Sequence, residues 1–157
     1  MNGNTALHLL PLGMDMMYPM LKGNGADVTA RNHNNDTPLH AVVAAGDENV
    51  MRLLLLDGCD VNTQNNNGDT PLHIAIRHTN PEIRRTLARS LVKSGANLAQ
   101  PNAAGETPLI IAEKMSEPTE MVVRYCSPVE QSIYISAIVL VTSPMQKMWE
   151  EEQKTCK

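Results

Sequence analysis

The sequence predicts an all-α solenoid of stacked helix-turn-helix units, followed by a short helical C-terminal segment. A short phrase recurs at four threonines that lie 32, 33 and 37 residues apart: Thr5, Thr37, Thr70 and Thr107. A glycine follows the first three phrases in phase: Gly25, Gly58 and Gly95. A period of this length is typical of repeat proteins, in which each unit buries its apolar face against its neighbours.

The phrase reads Thr-Pro-Leu-His in the second and third units, Thr-Ala-Leu-His in the first and Thr-Pro-Leu-Ile in the fourth. With this period, it resembles the ankyrin repeat, in which a β-turn finger precedes two antiparallel helices. The resemblance covers about residues 1–126, with units at about 1–30, 31–63, 64–100 and 101–126. It implies an ankyrin-repeat solenoid, which offers an extended binding surface rather than a pocket for chemistry.

Each residue of the phrase has a physical role. The threonine hydroxyl caps the first helix, and proline suits the first helical position, where its missing N–H would be unpaired anyway. Leucine and a later alanine face the neighbouring repeat, and glycine suits the left-handed conformation that ends the second helix. Residues 53–56, all leucine, join Val50 to form the apolar part of a second helix. Cys59 stands where ankyrin repeats usually carry alanine, which suggests a small buried side chain.

The first repeat departs from the pattern. Its first helix meets Pro11 and Gly13, and its second helix carries Pro19. These residues are unfavourable inside helices. Two interpretations stay open: an irregular N-terminal cap, or a piece of a longer protein whose earlier repeats are missing.

The third repeat has four extra residues between its threonine and its glycine, about one turn of helix. Asn80 as cap, Pro81 at the first position and Glu82 beside it predict that the insertion lengthens the second helix. Its apolar stripe comprises Ile83, Leu87, Ala88, Leu91 and Val92. We place three basic residues on the opposite face: Arg84, Arg85 and Arg89. That face is interpreted as solvated, with contact to an acidic partner as the alternative.

The tail, residues 127–157, does not repeat. Residues 127–130 and 143–146 match the capping-box pattern, which predicts two helices that cover the last repeat. Residues 133–141 are apolar but too few to span a membrane. A strand within this stretch, or a tail unrelated to the fold, is the alternative.

Five histidines raise the question of a metal or catalytic site. His8, His40 and His73 occupy the same phase of successive repeats, and the resemblance implies that they bridge neighbouring turns by hydrogen bonds. His33 and His78 lack the nearby ligands that zinc requires. Phosphate-loop, nucleophile-elbow and paired-carboxylate motifs are absent from the sequence. We therefore expect no catalytic residue, no cofactor, no metal and no enzymatic activity.

Composition bears on partners and compartment. The net charge of −4 gives no case for nucleic acid, and no membrane contact is expected. The three cysteines are an odd number without metal-ligand spacing, and no signal peptide is visible, so we expect a reduced cytoplasmic or nuclear setting. We expect a monomer. Leu54 and Asp60-Val61-Asn62 resemble the pattern that oxygen-dependent asparaginyl hydroxylases use in ankyrin repeats. Asn62 is thus a candidate acceptor, or simply the usual turn asparagine.

The resemblance also implies that a partner binds on the concave side, against the finger tips and the first helices. The fingers comprise His33, Asn34, Asp36, Asn66, Asn67, Asp69, Ala103, Ala104 and Glu106, and the helix positions are Ala44, Ala45, Arg77, His78, Lys114 and Met115. We expect an acidic row with basic residues behind it: Asp36, Asp69 and Glu106, then Arg77, His78 and Lys114. Because these side chains belong to no core stripe, replacing Asp69 or Arg77 should change the free energy of unfolding by about 0.5 kcal/mol at most.

The function predicted from these observations is a non-catalytic protein–protein interaction module, a scaffold or adaptor that binds another protein. One alternative is a regulator similar to the inhibitors of NF-κB, which are also ankyrin stacks. Another is the targeting fragment of a larger enzyme, such as a ubiquitin ligase or kinase. The cytosolic repeats of a membrane channel would need a spanning helix that the sequence lacks.

Overall fold

The computed structural model describes residues 2–10 and 13–115. All described residues lie in one compact unit. The predictions for Pro11 and for the tail, residues 127–157, fall outside the described residues.

The described residues form one 3-10 turn and six α-helices, without a strand. In chain order they are the 3-10 turn Ala6–Leu9, α1 Met17–Gly23, α2 Pro38–Ala45, α3 Glu48–Leu56, α4 Pro71–Ile76, α5 Pro81–Lys93 and α6 Pro108–Lys114. The 3-10 turn and α1 belong to the first repeat, α2 and α3 to the second, α4 and α5 to the third, and α6 to the fourth. The predicted all-helical stack is confirmed.

Helix boundaries follow the predicted signals. Each phrase threonine is extended and immediately precedes its helix. The predicted hydroxyl cap is present at Thr107, which accepts from the N–H of Ile110 at 3.2 Å. In the first three repeats the threonine hydroxyl instead lies 2.8–2.9 Å from Nδ1 of the phased histidine, so the predicted cap was wrong there. At the other end, Gly25, Gly58 and Gly95 have φ of 83°, 82° and 90°. The left-handed turn lets the next N–H reach back to the last helical turn, which satisfies carbonyls that would otherwise lack partners.

An aliphatic core runs between the helices of successive repeats. Its fully buried members include Leu39, Val43, Met51, Leu54, Leu72, Leu87 and Leu91. Helix α2 packs on α4, and α3 packs on α5, so each layer is shared by two repeats. Leu39 and Leu72 are core residues, as predicted.

The first repeat is irregular, as expected. Its first helix is reduced to a single 3-10 turn, and Pro19 is the third residue of α1, where its missing N–H has no helical partner to lose. Tyr18 is buried and donates its hydroxyl hydrogen to Asp57 of the second repeat. The N–H of Gly13 donates to Asp47 at 3.1 Å. These bonds fasten the shortened repeat to its neighbour.

The four extra residues of the third repeat lengthen its second helix, as predicted: α5 has 13 residues and α3 has 9. Asn80 caps α5, and its side-chain oxygen accepts from the N–H groups of Glu82 and Ile83 at 2.9 and 3.3 Å.

The prediction that Arg84 lies on the solvated face of α5 was wrong. Arg84 is only 8% exposed, and its guanidinium donates to the carbonyl of His78 at 3.3 Å. It precedes Leu87, Ala88 and Leu91 by three, four and seven residues, which places all four on one face of a helix. The charge of Arg84 suggested the solvated face of α5, whereas its spacing from Leu87 and Leu91 places it on the buried face.

Candidate protein-interaction surface

Each finger is closed around an asparagine that lies five residues before the capping threonine. These asparagines are Asn32, Asn65 and Asn102. The side-chain oxygen of Asn65 accepts from the N–H groups of Asn67 and Asp69, both at 3.0 Å, and the other two make matching bonds. Their recurrence was not predicted, although the constant distance from the threonine could have identified it.

Neighbouring fingers are joined through their main chains. The N–H of Asn66 donates to the carbonyl of Asn34 at 3.0 Å, and the N–H of Ala103 donates to the carbonyl of Asn67 at 2.9 Å. His33 bonds the carbonyl of Asn2 in the same way. The tip side chains are exposed: His33, Asn34, Asn66, Asn67, Ala103 and Ala104. The fingers therefore hold these side chains on a fixed backbone.

The phased histidines connect each repeat to the next finger, as the resemblance implied. Nδ1 of His40 accepts from the N–H of Thr37 at 3.1 Å and lies 2.9 Å from its hydroxyl oxygen, while Nε2 lies 3.1 Å from the carbonyl oxygen of Asp69. Because a carbonyl only accepts, Nε2 carries the proton and Nδ1 is the acceptor. His8 and His73 repeat the arrangement toward the carbonyls of Asp36 and Glu106.

Burial favours the neutral form of these rings. It lowers the pKa of His40 and of His73 below the usual value, although the backbone carbonyls that they meet oppose the shift. Each of these rings uses both nitrogens in hydrogen bonds, one to the capping threonine and one to the next finger.

Asp69 has a structural role that was not expected. It is 8% exposed, its Oδ1 accepts from Nδ2 of Asn102 at 2.9 Å, and its Oδ2 accepts from Nη1 of Arg77 at 2.7 Å. The expectation that the fold does not need Asp69 was wrong, because its carboxylate links two repeats. Asp36 bonds Asn65 of the next repeat in the same manner, at 2.8 Å.

Charged side chains continue this row into the fourth repeat. Nη2 of Arg77 lies 3.5 Å from Glu106, whose other oxygen lies 2.6 Å from Nζ of Lys114. The hydrogen bond from Lys114, with its charge, holds the pKa of Glu106 below its usual range. The side chains of Arg77 and Lys114 remain 39% and 63% exposed. We call the surface formed by Asp36, Ala44, Asp69, Arg77, Glu106 and Lys114 the finger face.

The other predicted positions are more scattered. Helix α4 ends at Ile76, so Arg77 is its C-cap and His78 lies beyond the helix. Nδ1 of His78 accepts from the N–H of Asn80 at 3.2 Å, and its Nε2 approaches Gly46 of the second repeat. His78 therefore packs in a loop and does not bond the acidic row. Ala44, Ala45 and Met115 are exposed at helix ends.

Two further residues singled out in the sequence are half-buried. Sγ of Cys59 lies 3.5 Å from the carbonyl oxygen of Val28, and burial raises the pKa of its thiol to about 11, which keeps it protonated. The amide of Asn62 bridges to the next repeat: it donates to Gly95 at 3.1 Å and accepts from Asn97 at 2.7 Å. These bonds suit a turn asparagine, and its hydroxylation stays a prediction.

Residues 2–10 and 13–115 contain no cluster of three side chains suited to hold a metal ion. None of the helices in that part of the chain is long and apolar enough to cross a membrane. A cavity of about 150 Å³ lies between the start of α3 and α5, lined by Gly46, Glu48, Glu82, Ile83, Thr86 and Leu87. Pockets for drug-sized ligands start at about 300 Å³.

A family model described as ankyrin repeats (3 copies) matches residues 12–102 and 58–125, well over half of the chain. Among curated proteins, the comparison finds no match. Ankyrin repeats are in general protein–protein interaction modules. The repeated phrase, the stacked helix pairs and this match agree, and the chain belongs to the ankyrin-repeat family.

Proposed function

We propose that this chain is a non-catalytic scaffold or adaptor that binds a protein partner on its finger face. The observation that carries the proposal is the row of charged side chains from Asp69 to Lys114. The row is held by ion pairs of 2.6 to 3.5 Å, yet its basic members stay accessible to a partner. A pre-positioned polar surface loses little side-chain freedom on binding, so more of its interaction energy remains as affinity.

The histidines support the non-catalytic part of the proposal. In each of the three phased histidines, one ring nitrogen bonds the capping threonine and the other bonds a carbonyl of the next finger. A general base needs a nitrogen within reach of a substrate proton. The narrower roles, as a regulator similar to NF-κB inhibitors or as the targeting part of an enzyme, stay predictions, as do the cytoplasmic or nuclear setting and the monomeric state.

The test is affinity capture with chemical cross-linking, followed by mass spectrometry, on the intact chain and two arginine variants. Arg77 and Arg85 are a matched pair: their side chains are 39% and 41% exposed, and their shortest ion pairs measure 2.7 and 2.8 Å. Arg77 differs in that it also lies 3.5 Å from Glu106. We expect Arg77→Ala to remove the captured partner and Arg85→Ala to retain it. Loss with Arg85→Ala alone would place the binding surface on the second helices instead.

A further inference from the structure

Two of the three acidic residues of the finger face form an ion pair at the same sequence spacing, and the third, Asp36, does not. The acidic residue before the capping threonine pairs with a basic residue eight positions later: Asp69 with Arg77 at 2.7 Å and Glu106 with Lys114 at 2.6 Å. In the second repeat the acidic residue is Asp36, and the residue eight positions later is Ala44. The cation that its neighbours carry is thus replaced by a methyl group.

The carboxylate of Asp36 is otherwise placed like that of Asp69. In both, Oδ1 accepts from the finger asparagine of the next repeat, Asn65 or Asn102, at 2.8 and 2.9 Å. Oδ2 of Asp69 binds Arg77, whereas Oδ2 of Asp36 has only a 3.5 Å contact with Nδ2 of Asn32. Within residues 2–10 and 13–115, Asp36 forms no ion pair.

The nearest basic side chain of the same finger is used elsewhere. Nη1 of Arg31 donates to the carbonyls of Asn35 and Gln64, at 3.3 and 3.2 Å. The carboxylate of Asp36 is half-buried, and Asn65 already holds its Oδ1. A cation that binds Oδ2 would therefore meet a carboxylate whose position is already fixed. Hydrogen bonds between charged groups are about twice as strong as neutral ones.

We propose that Asp36 and Ala44 form a subsite for an arginine or lysine side chain of the protein partner. The partner's cation takes the place that Arg77 and Lys114 occupy in the next two repeats, and thereby completes the row. Ala44 is exposed, and its methyl group cannot pair with Asp36. This inference rests on the proposed function and adds the chemistry of one contact.

The experiment is selection from a random 12-residue peptide library against the intact chain, with the affinity of each selected peptide then measured on five variants. Ala44→Arg places a cation of the chain itself in the subsite, and Asp36→Asn keeps the oxygen that Asn65 needs but removes the charge. Ala99→Arg adds the same charge as Ala44→Arg at another exposed alanine. Arg77→Ala tests the rest of the finger face, and Arg85→Ala tests the second-helix side. Thermal melts of each variant establish that it is folded.

We expect the selected peptides to share one arginine or lysine, to bind Ala44→Arg and Asp36→Asn about tenfold more weakly or worse, and to tolerate Ala99→Arg and Arg85→Ala. The subsite would be overturned by any of three results. These are selected peptides that share no basic residue, undiminished binding to Ala44→Arg and Asp36→Asn, and a selection that yields no peptide. If such peptides still lose affinity to Arg77→Ala, the proposed function stands without it. If Arg85→Ala alone weakens them, the proposed function fails as well.

Discussion

The second and third repeats are alike at the start of their first helices and differ from the ends of those helices onward. Thr37 and Thr70 have the same backbone conformation, and His40 and His73 make the same three contacts. Beyond that point α3 has 9 residues and α5 has 13.

The comparison separates residues that connect repeats from residues that are free to vary. The phased threonines bond the start of their own helix, and the histidines bond the finger of the next repeat. The finger asparagines bond their own finger and the preceding repeat. The residues that change, at the end of the first helix and along the second, do not carry those bonds. In a stack where each unit contacts only its neighbours, the connections must repeat, while the remaining surface can be specialised.

The largest effect should come from the residues that both repeats bury. Leu39→Ala or Leu72→Ala should lower the free energy of unfolding by about 2–5 kcal/mol, because each leaves a cavity between two repeats. Urea denaturation measures this, and Leu56→Ala, at an 83% exposed leucine, is the control. A melting temperature lowered by only a degree or two would show that these leucines are not core.

The fingers of these two repeats share one left-handed position, which is Asn35 at φ 62° in the second repeat and Gly68 at φ 70° in the third. A Cβ on Gly68 would lie 2.6 Å from the backbone nitrogen of Ala103. Gly68→Ala should therefore cost about 2 kcal/mol through strain and displacement of the next finger. Asn35→Gly should stay within about 0.5 kcal/mol, since asparagine tolerates this conformation. Denaturation curves measure both changes, and an equal loss of unfolding free energy in Gly68→Ala and Asn35→Gly would contradict this prediction.

The shared histidines predict a dependence on pH. In the folded chain the pKa of His40 and of His73 lies below the ordinary 6.5 of the unfolded chain, so the unfolded state binds more protons between the two values. Stability should be full above about pH 6.5 and fall as the pH decreases below it. Urea midpoints between pH 7.5 and 5 measure this, and a His40→Gln and His73→Gln double variant should flatten the slope. Stability that rises as the pH falls through 6 would be the opposite result.

The matched arginines should differ by a smaller amount. Arg77 bonds a buried carboxylate and lies near a second one, whereas Arg85 bonds an exposed residue of its own helix. Arg77→Ala should cost about 0.5–1 kcal/mol, and Arg85→Ala about 0.3 kcal/mol or less. Chemical denaturation distinguishes them if each is measured in triplicate at low salt. Equal costs would mean that the row on the finger face adds nothing to the fold.

The smallest effect should come from making the second repeat resemble the third. Ala44→Arg should raise the free energy of unfolding by about 0.3–0.5 kcal/mol if the new guanidinium reaches Asp36 as Arg77 reaches Asp69. A double-mutant cycle with Asp36→Asn isolates that pair. A coupling of zero would show that the two repeats place this position differently.

Local signals predicted most of the fold, and contacts between repeats were harder to predict. Thr, Pro, Gly and Asn80 act on their own helix ends, so sequence spacing was sufficient for them. Asp69 was misjudged because its partner Asn102 lies 33 residues away, in a finger whose asparagine had not been identified as a recurring element. Arg84 was misjudged because its charge was given more weight than its helical spacing. The acidic row was expected from the resemblance, but the position of Arg77 between Asp69 and Glu106 was seen only with the packing of α4 against α6.

The bond from His40 to the carbonyl of Asp69 also decides where a repeat can be exchanged between stacks. A segment cut at the sequence period, residues 31–63, separates this histidine from its acceptor and leaves both without a partner at the junction. A segment of the same length, residues 37–69, keeps the bond inside the exchanged piece. Chimeric stacks built from this chain should therefore be joined just before the capping threonine, so that each module carries the finger of the next repeat.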